Sequence, residues 1–92
     1  MVSDALPEFE WDEAKRRANR AKHGIDFVQA QALWLDESLA ETPTRSDIES
    51  RSMAVGIIDG EHRSAFITDW GDKVRLISVR RSRREEVASY GR

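Results

Sequence analysis

Apolar residues recur with two different periods along this chain, and the period changes from helical to extended near residue 39. Before the change, Phe9 to Trp11 reads as a short apolar-flanked strand. Ala14, Ala18 and Ala21 then recur at i, i+4 and i+7, which predicts a narrow buried stripe on a helix from about Glu13 to Lys22. Asp12 is placed to cap it, because a carboxylate there accepts from the free amides of the first turn. Glu13 at the positive end, and Arg20 and Lys22 at the negative end, suit the helix dipole. His23-Gly24 ends the helix, with Gly24 suited to the left-handed position after the C-cap. A second helix starts almost at once. Asp26 and Gln29 form an acidic capping box, and Ile25 and Ala30 form a hydrophobic staple. Phe27, Ala30 and Trp34 share a face, and the helix is expected to end near Leu35. The short link leaves Lys22-His23 at an exposed corner.

Beyond residue 39 the pattern predicts strands. Leu39 to Thr42 is a short one, Pro43 to Asp47 a turn, and Ser50 to Ile58 a second strand. Asp59-Gly60 is a strong hairpin signal, since both turn positions tolerate positive φ. His62 to Trp70 returns, Gly71-Asp72 turns, and Val74 to Arg80 is the last strand. Alternation puts Val74, Leu76 and Ser78 on one face and Arg75, Ile77 and Val79 on the other. Ser82 and Glu85 make an S-x-x-E box opening a final short helix with Val87 and Tyr90. The expected fold class is α+β: an antiparallel β-meander packed against two N-terminal helices, closed by a short C-terminal helix. Residues 1–92 read as a single domain with a loose lead-in over 1–7.

Composition narrows the function classes. Hydrophobic residues at 39% beside 35% charged describe a folded chain, not a disordered one. There is no cysteine, hence no disulfide scaffold, thiolate nucleophile or zinc–thiolate site. No apolar run approaches a membrane span, and the N-terminus lacks the basic and apolar regions of a signal peptide, so the cytoplasm is the expected compartment. Two histidines far apart give no metal-binding spacing, and no cofactor is expected.

Charge changes the picture more. The formal net charge is −2, yet Lys73, Arg75, Arg80, Arg81, Arg83 and Arg84 crowd the last strand and the start of the last helix with no acid among them. Such segregation builds a basic face on an acidic protein, or else the blocks of opposite sign pair with one another.

Several stretches together resemble the BrnT toxin family. FEWDEAKRRANRAKHGIDF carries its F-x-W-D opening and its K-H-G-[IV]-x-F corner, through Phe9, Trp11, Asp12, Lys15, Asn19, Lys22, His23, Gly24 and Phe27. Arg51 and Gly56 match its R-x-x-x-x-G strand. Gly71, Arg75, Ile77, Ser78 and Arg80 match its G-x-x-[IV]-R-[IL]-I-S-x-R signature, and Glu85 or Glu86 with Tyr90 matches the closing helix. The resemblance covers about residues 9–90. It implies a RelE-like fold and a type II toxin that cleaves RNA and blocks translation. It also implies a BrnA-like ribbon-helix-helix antitoxin as partner, in a two-plus-two complex that reaches operator DNA through the antitoxin. One stretch departs from the family: Glu61-His62-Arg63-Ser64-Ala65 is more polar than expected, which predicts a frayed start or a shifted register for that strand.

Metal-independent RNA cleavage needs a base for the 2′-hydroxyl, cations for the phosphate and an acid for the leaving oxygen. Arg80 is the first candidate for the phosphate, since arginine offers a planar fork that stays charged. Arg75 either faces RNA or pairs with an acid such as Asp69 or Glu49. His23 is the better-placed histidine for acid–base work, or it simply caps the helix end. Glu49 could act as base and Arg51 as a phosphate contact on the same strand face, or the two could belong to cross-strand ion pairs. Lys22, Arg81 and Tyr90 are candidate RNA contacts; Tyr90 fits a core position equally well. Two other readings stay open: a non-catalytic nucleic-acid-binding module, and a degenerate toxin that acts only through antitoxin binding.

Overall fold

The computed structural model describes residues 6–44 and 51–90. In chain order it has strand β1 (Glu8–Glu10), helix α1 (Glu13–His23), helix α2 (Phe27–Ala30) and a 3-10 segment (Gln31–Leu35). Strands β2 (Ala40–Pro43), β3 (Ser52–Ile58), β4 (Glu61–Trp70) and β5 (Lys73–Arg81) and helix α3 (Arg84–Val87) follow. The strands form one sheet in the order β1-β5-β4-β3-β2. Strands β2 to β5 are the expected meander. The sheet is nonetheless mixed, because β1 joins its edge parallel to β5, with Phe9 opposite Val74. A three-residue strand is too short to announce a partner at the far end of the chain.

Local signals place the helices. Asp12 accepts from the amides of Ala14 and Lys15, at 2.8 and 3.4 Å. Gly24 takes φ 73° and donates to the Arg20 carbonyl at 2.9 Å, ending α1 where a side chain would be strained. Asp26 and Gln29 form their box, with bonds of 3.0 and 2.9 Å. After Ala30 the second helix tightens to 3-10 geometry and still stops at Leu35. Arg16 ties the helices together, pairing with Glu13 and, at 2.8 Å, with Asp26.

The alanine stripe is not the buried face of α1: Ala14, Ala18 and Ala21 are exposed. The inward side chain is Asn19, the one buried residue of the helix. The reason lies in what α1 meets. Strand β1 covers β5 only from Lys73 to Arg75, so the outward backbone groups of Val79 have no strand neighbour. Asn19 takes that place, donating to the Val79 carbonyl at 2.8 Å and accepting from its amide at 3.0 Å. It also donates to the Ile25 carbonyl at 3.1 Å. An amide side chain, not an apolar stripe, docks this helix.

The core lies between the helical layer and one face of the sheet. Ile25, Phe27, Ala30 and Leu33 pack on Ala54, Ala65, Ile67, Leu76 and Val79. Each large apolar side chain so buried contributes about 1.5–3 kcal/mol. Phe9 meets Trp34 and Trp11 meets Phe27 edge-on at the margin, with centroids 5.0 and 6.0 Å apart. Gly56 permits the close approach of this layer, since a Cβ there would stand 3.0 Å from Leu33 and 3.1 Å from Leu39.

Simple alternation fails on β5. Phe66 pairs with Ser78 but Ile67 pairs with Leu76, so Ile77 is an extra residue in a bulge. Leu76 and Val79 therefore both face the core, and Ser78 lies on the opposite face with Arg75 and Arg80. The Asp59-Gly60 turn has φ of 52° and 82°, and the polar start of β4 is fully paired, with Glu61 opposite Ile58. The C-terminal box also shifts by one residue. Helix α3 is capped at Arg83, whose amide donates to Glu86 at 2.8 Å, while the Ser82 hydroxyl bonds that of Ser64 at 2.7 Å. Among the described residues no helix is long and apolar enough to cross a membrane.

Candidate functional site

The sheet face away from the core carries three cross-strand rows. Arg75 lies opposite Thr68; Ser78 lies opposite Phe66, which faces Met53; Arg80 lies opposite Ser64, which faces Val55. The bulge at Ile77 brings Arg75, Ser78 and Arg80 to one face. Helix α3 folds back toward the Arg80 row.

Arg80 is held by Glu86. Its Nη1 and Nη2 donate to Oε1 and Oε2 at 2.8 and 2.6 Å, and Nη1 also donates to the Arg81 carbonyl at 3.1 Å. The arginine side chain is 19% exposed and that of Glu86 11%. Burial pushes the Glu86 carboxyl up, but hydrogen bonds from Arg80, the Arg83 amide and the Ser64 hydroxyl outweigh it and bring the pKa down to about 2. Glu86 is thus a permanent anion at neutral pH that fixes one edge of the guanidinium. The other edge, Nε–H with the second Nη2–H, engages no acceptor among the described residues. A planar guanidinium held in this way offers a second fork, the geometry that matches two phosphate oxygens. The guanidinium also lies 5.0 Å from the centroid of the Phe66 ring.

Beside this row an open groove of about 260 Å³ separates α1 from β5. Lys15, Ala18, Asn19, Lys22 and His23 line one wall, and Ile77 and Ser78 the other. His23 is half-buried. Burial lowers its pKa below the ordinary imidazole value, and the positive charges of Lys22 and Arg80 lower it further. The imidazole is therefore neutral at pH 7 while standing in a cationic setting. A neutral proton acceptor within the electrostatic reach of Lys22 and Arg80 is an arrangement suited to phosphate chemistry.

The remaining predicted residues fall in different places. Lys22 is exposed on the groove. Arg75 pairs with Glu10 at 2.8 Å, through the unforeseen neighbour β1. Arg51 is half-buried just before β3, and its carbonyl accepts from Thr44 at 2.9 Å. Glu49 lies outside the described residues, as do residues 45–47 of the expected turn and Ser50 of the expected strand. Arg81 is 73% exposed and pairs with Glu61 at 2.8 Å. Tyr90 donates to Asp36 at 2.7 Å and packs edge-on against His62, with centroids 5.0 Å apart. That Asp36 oxygen also accepts from the Ile57 amide at 2.9 Å, so Tyr90 anchors the C-terminus to the β3 side of the sheet, away from the groove. Among the described residues no group of three or more His, Cys, Asp or Glu side chains is placed to hold a metal.

Two residues of the site had weak signals. Glu85 and Glu86 are adjacent acids, and local pattern favoured Glu85 as the capping partner; only the fold shows that Glu86 reaches Arg80. Phe66 stands in the alternating series Ser64, Phe66, Thr68, which could have flagged an aromatic on an otherwise polar face.

A family model described as "Ribonuclease toxin, BrnT, of type II toxin-antitoxin system" matches residues 11–86. No curated protein matches the chain.

Proposed function

The chain belongs to the BrnT family of ribonuclease toxins of type II toxin–antitoxin systems, and on that footing we propose that it cleaves RNA where α1 meets β5, between His23 and Arg80. The observation that carries this reading is the second fork of Arg80, whose first fork Glu86 occupies, at the end of the strand whose Ser78 lines one groove wall opposite His23.

In this reading the Arg80 fork grips the non-bridging oxygens of the scissile phosphate and opposes the charge that grows there. His23 takes the proton from the 2′-hydroxyl. The 2′-oxygen attacks phosphorus, the bond to the 5′-oxygen breaks, and that oxygen leaves with a proton from solvent in the open groove. The products are a 2′,3′-cyclic phosphate and a 5′-hydroxyl. Lys22 adds positive charge at the groove wall. Arg75, bound to Glu10, lies on the same sheet face, Arg51 is a further candidate phosphate contact just before β3, and Arg81 supplies a peripheral contact. Glu49 is a further candidate base. The reaction needs no metal in this account, since every charge it must offset is met by a residue already named.

Type II systems pair a toxin with a protein antitoxin. We assign that partner the BrnA-like ribbon-helix-helix type, in a two-plus-two complex that covers the Arg75 and Arg80 face and binds operator DNA through the antitoxin. Translation inhibition in the cytoplasm and a RelE-like fold complete the reading. The test is expression of the chain with and without its antitoxin, paired with incubation of the purified protein with RNA in a chelator. Growth arrest relieved by the antitoxin, with chelator-resistant cleavage, supports it. Intact RNA at micromolar protein, with RNA binding that still depends on Arg80, would favour a non-catalytic binding module.

A further inference from the structure

We propose that Phe66 is the platform on which one unpaired nucleobase of the substrate stacks, so that the preferred substrate is single-stranded RNA. This rests on the RNA-cleavage reading and names its substrate class.

Phe66 sits where such a platform is needed. Its ring is half-buried and takes no part in the core cluster, because it projects from the opposite face of the sheet. Its cross-strand neighbour on β5 is Ser78, which lines the groove. Side chains directly opposite on neighbouring strands stand about 4.5–5.5 Å apart at Cβ. The ring is therefore one strand away from the groove wall. The Arg80 guanidinium lies over one face of the ring, 5.0 Å from its centroid, so the stacked base takes the opposite face, with the phosphate fork one ring thickness away. In a nucleotide the phosphate and the base are separated by one sugar, and adjacent sites for the two are what a single nucleotide requires. Met53 on the other flank adds a soft apolar side chain of the kind that packs against a base edge.

The chemistry follows from the ring. Every base has a π-face, so stacking on an aromatic residue is tolerant of sequence and is worth about 1–3 kcal/mol per base. A base inside an A-form duplex has both faces covered by its neighbours and cannot reach the sheet. A paired stretch would have to unstack first, and a single strand would not.

The experiment measures binding of a 2′-O-methyl oligoribonucleotide, whose blocked 2′-oxygen prevents cleavage, by fluorescence anisotropy. Phe66→Leu removes the aromatic face and keeps apolar bulk; Phe66→Tyr keeps the face. The expected result is a roughly tenfold loss of affinity for Phe66→Leu and little change for Phe66→Tyr. A second measurement needs no variant: single abasic positions are walked along the oligonucleotide with the natural protein. One position should cost roughly tenfold, and its loss should add nothing in Phe66→Leu. Equal binding by Phe66→Leu, or a flat abasic scan, overturns the proposal. If Phe66→Leu does not fold, the abasic scan decides alone. Cleavage of unmodified RNA by the natural protein is read in parallel. Cleavage with a flat scan removes the platform and leaves the ribonuclease reading; an intact substrate with a position-dependent scan does the reverse.

Discussion

Asn19 satisfies both outward backbone groups of Val79, donating to its carbonyl and accepting from its amide across 60 residues of chain. One side chain thus does at the end of β5 what a neighbouring strand would do, and it sets the distance between the two walls of the groove. Replacing it leaves a buried amide and two buried carbonyls without partners.

Asn19→Ala is therefore expected to destabilise the fold by about 2–4 kcal/mol, because each orphaned buried group costs about 1–3 kcal/mol and the site can relax in part. Asn19→Asp should be no better, since a carboxylate cannot donate to the Val79 and Ile25 carbonyls. Denaturant titration checks this, and a loss under about 0.5 kcal/mol, the range of an ordinary surface change, would show that the helix docks by other means.

Glu86 links stability to pH. Its folded pKa is depressed to about 2 from an ordinary value of 4.5. Its contribution is present above the unfolded value and is lost as pH falls from about 4.5 toward 2. Glu86→Gln should cost about 2–4 kcal/mol at pH 7 and flatten the stability curve below pH 5. RNA cleavage should fall as well, because the Arg80 fork loses its anchor. An unchanged acid limb in the variant would place the pH dependence elsewhere.

Local and long-range features differ in how far they could be read. Asp12, Gly24, Asp26 and the Asp59-Gly60 turn act within a few residues, so their roles follow from local sequence and hold in the structure. The alanines of α1 misled because that helix meets strand backbone, and the pattern contains no mark for that. Ile77 could not be recognised as a bulge, since a bulge is a property of two strands. The same holds for the pairing of Arg75 with Glu10 and of Arg80 with Glu86. Of the candidate site, the residue types were legible; which acid held which arginine was not.

In the proposed mechanism His23 sets the acid limb of activity. Its pKa lies below the ordinary imidazole value, through burial and the charges of Lys22 and Arg80. As the base it must be neutral, so cleavage should be full at pH 7 and fall with an apparent pKa below about 6.5. Lys22→Ala removes one of the depressing charges and should move that limb to higher pH. A limb that does not respond to Lys22→Ala, or survives in His23→Gln, would assign the base to another group.

Tyr90 serves the fold in this account. Its hydroxyl donates to Asp36, which lowers the Asp36 carboxyl and raises the phenol. Tyr90→Phe should lower the thermal midpoint by a few degrees and leave the cleavage rate within about twofold, the scale of a residue outside the reacting groups. A large loss of rate in a folded Tyr90→Phe protein would return Tyr90 to the site.

The most direct measurement is end-group analysis of RNA treated with the natural protein, His23→Gln and Arg80→Ala, each checked for a native circular-dichroism spectrum. The expected result is 2′,3′-cyclic phosphate and 5′-hydroxyl ends from the natural protein, with rates reduced by about 10²–10³-fold in each variant, as for loss of a base or of an oxyanion donor. Cleavage by folded His23→Gln and Arg80→Ala at the natural rate would contradict the placement of the reaction between these two residues.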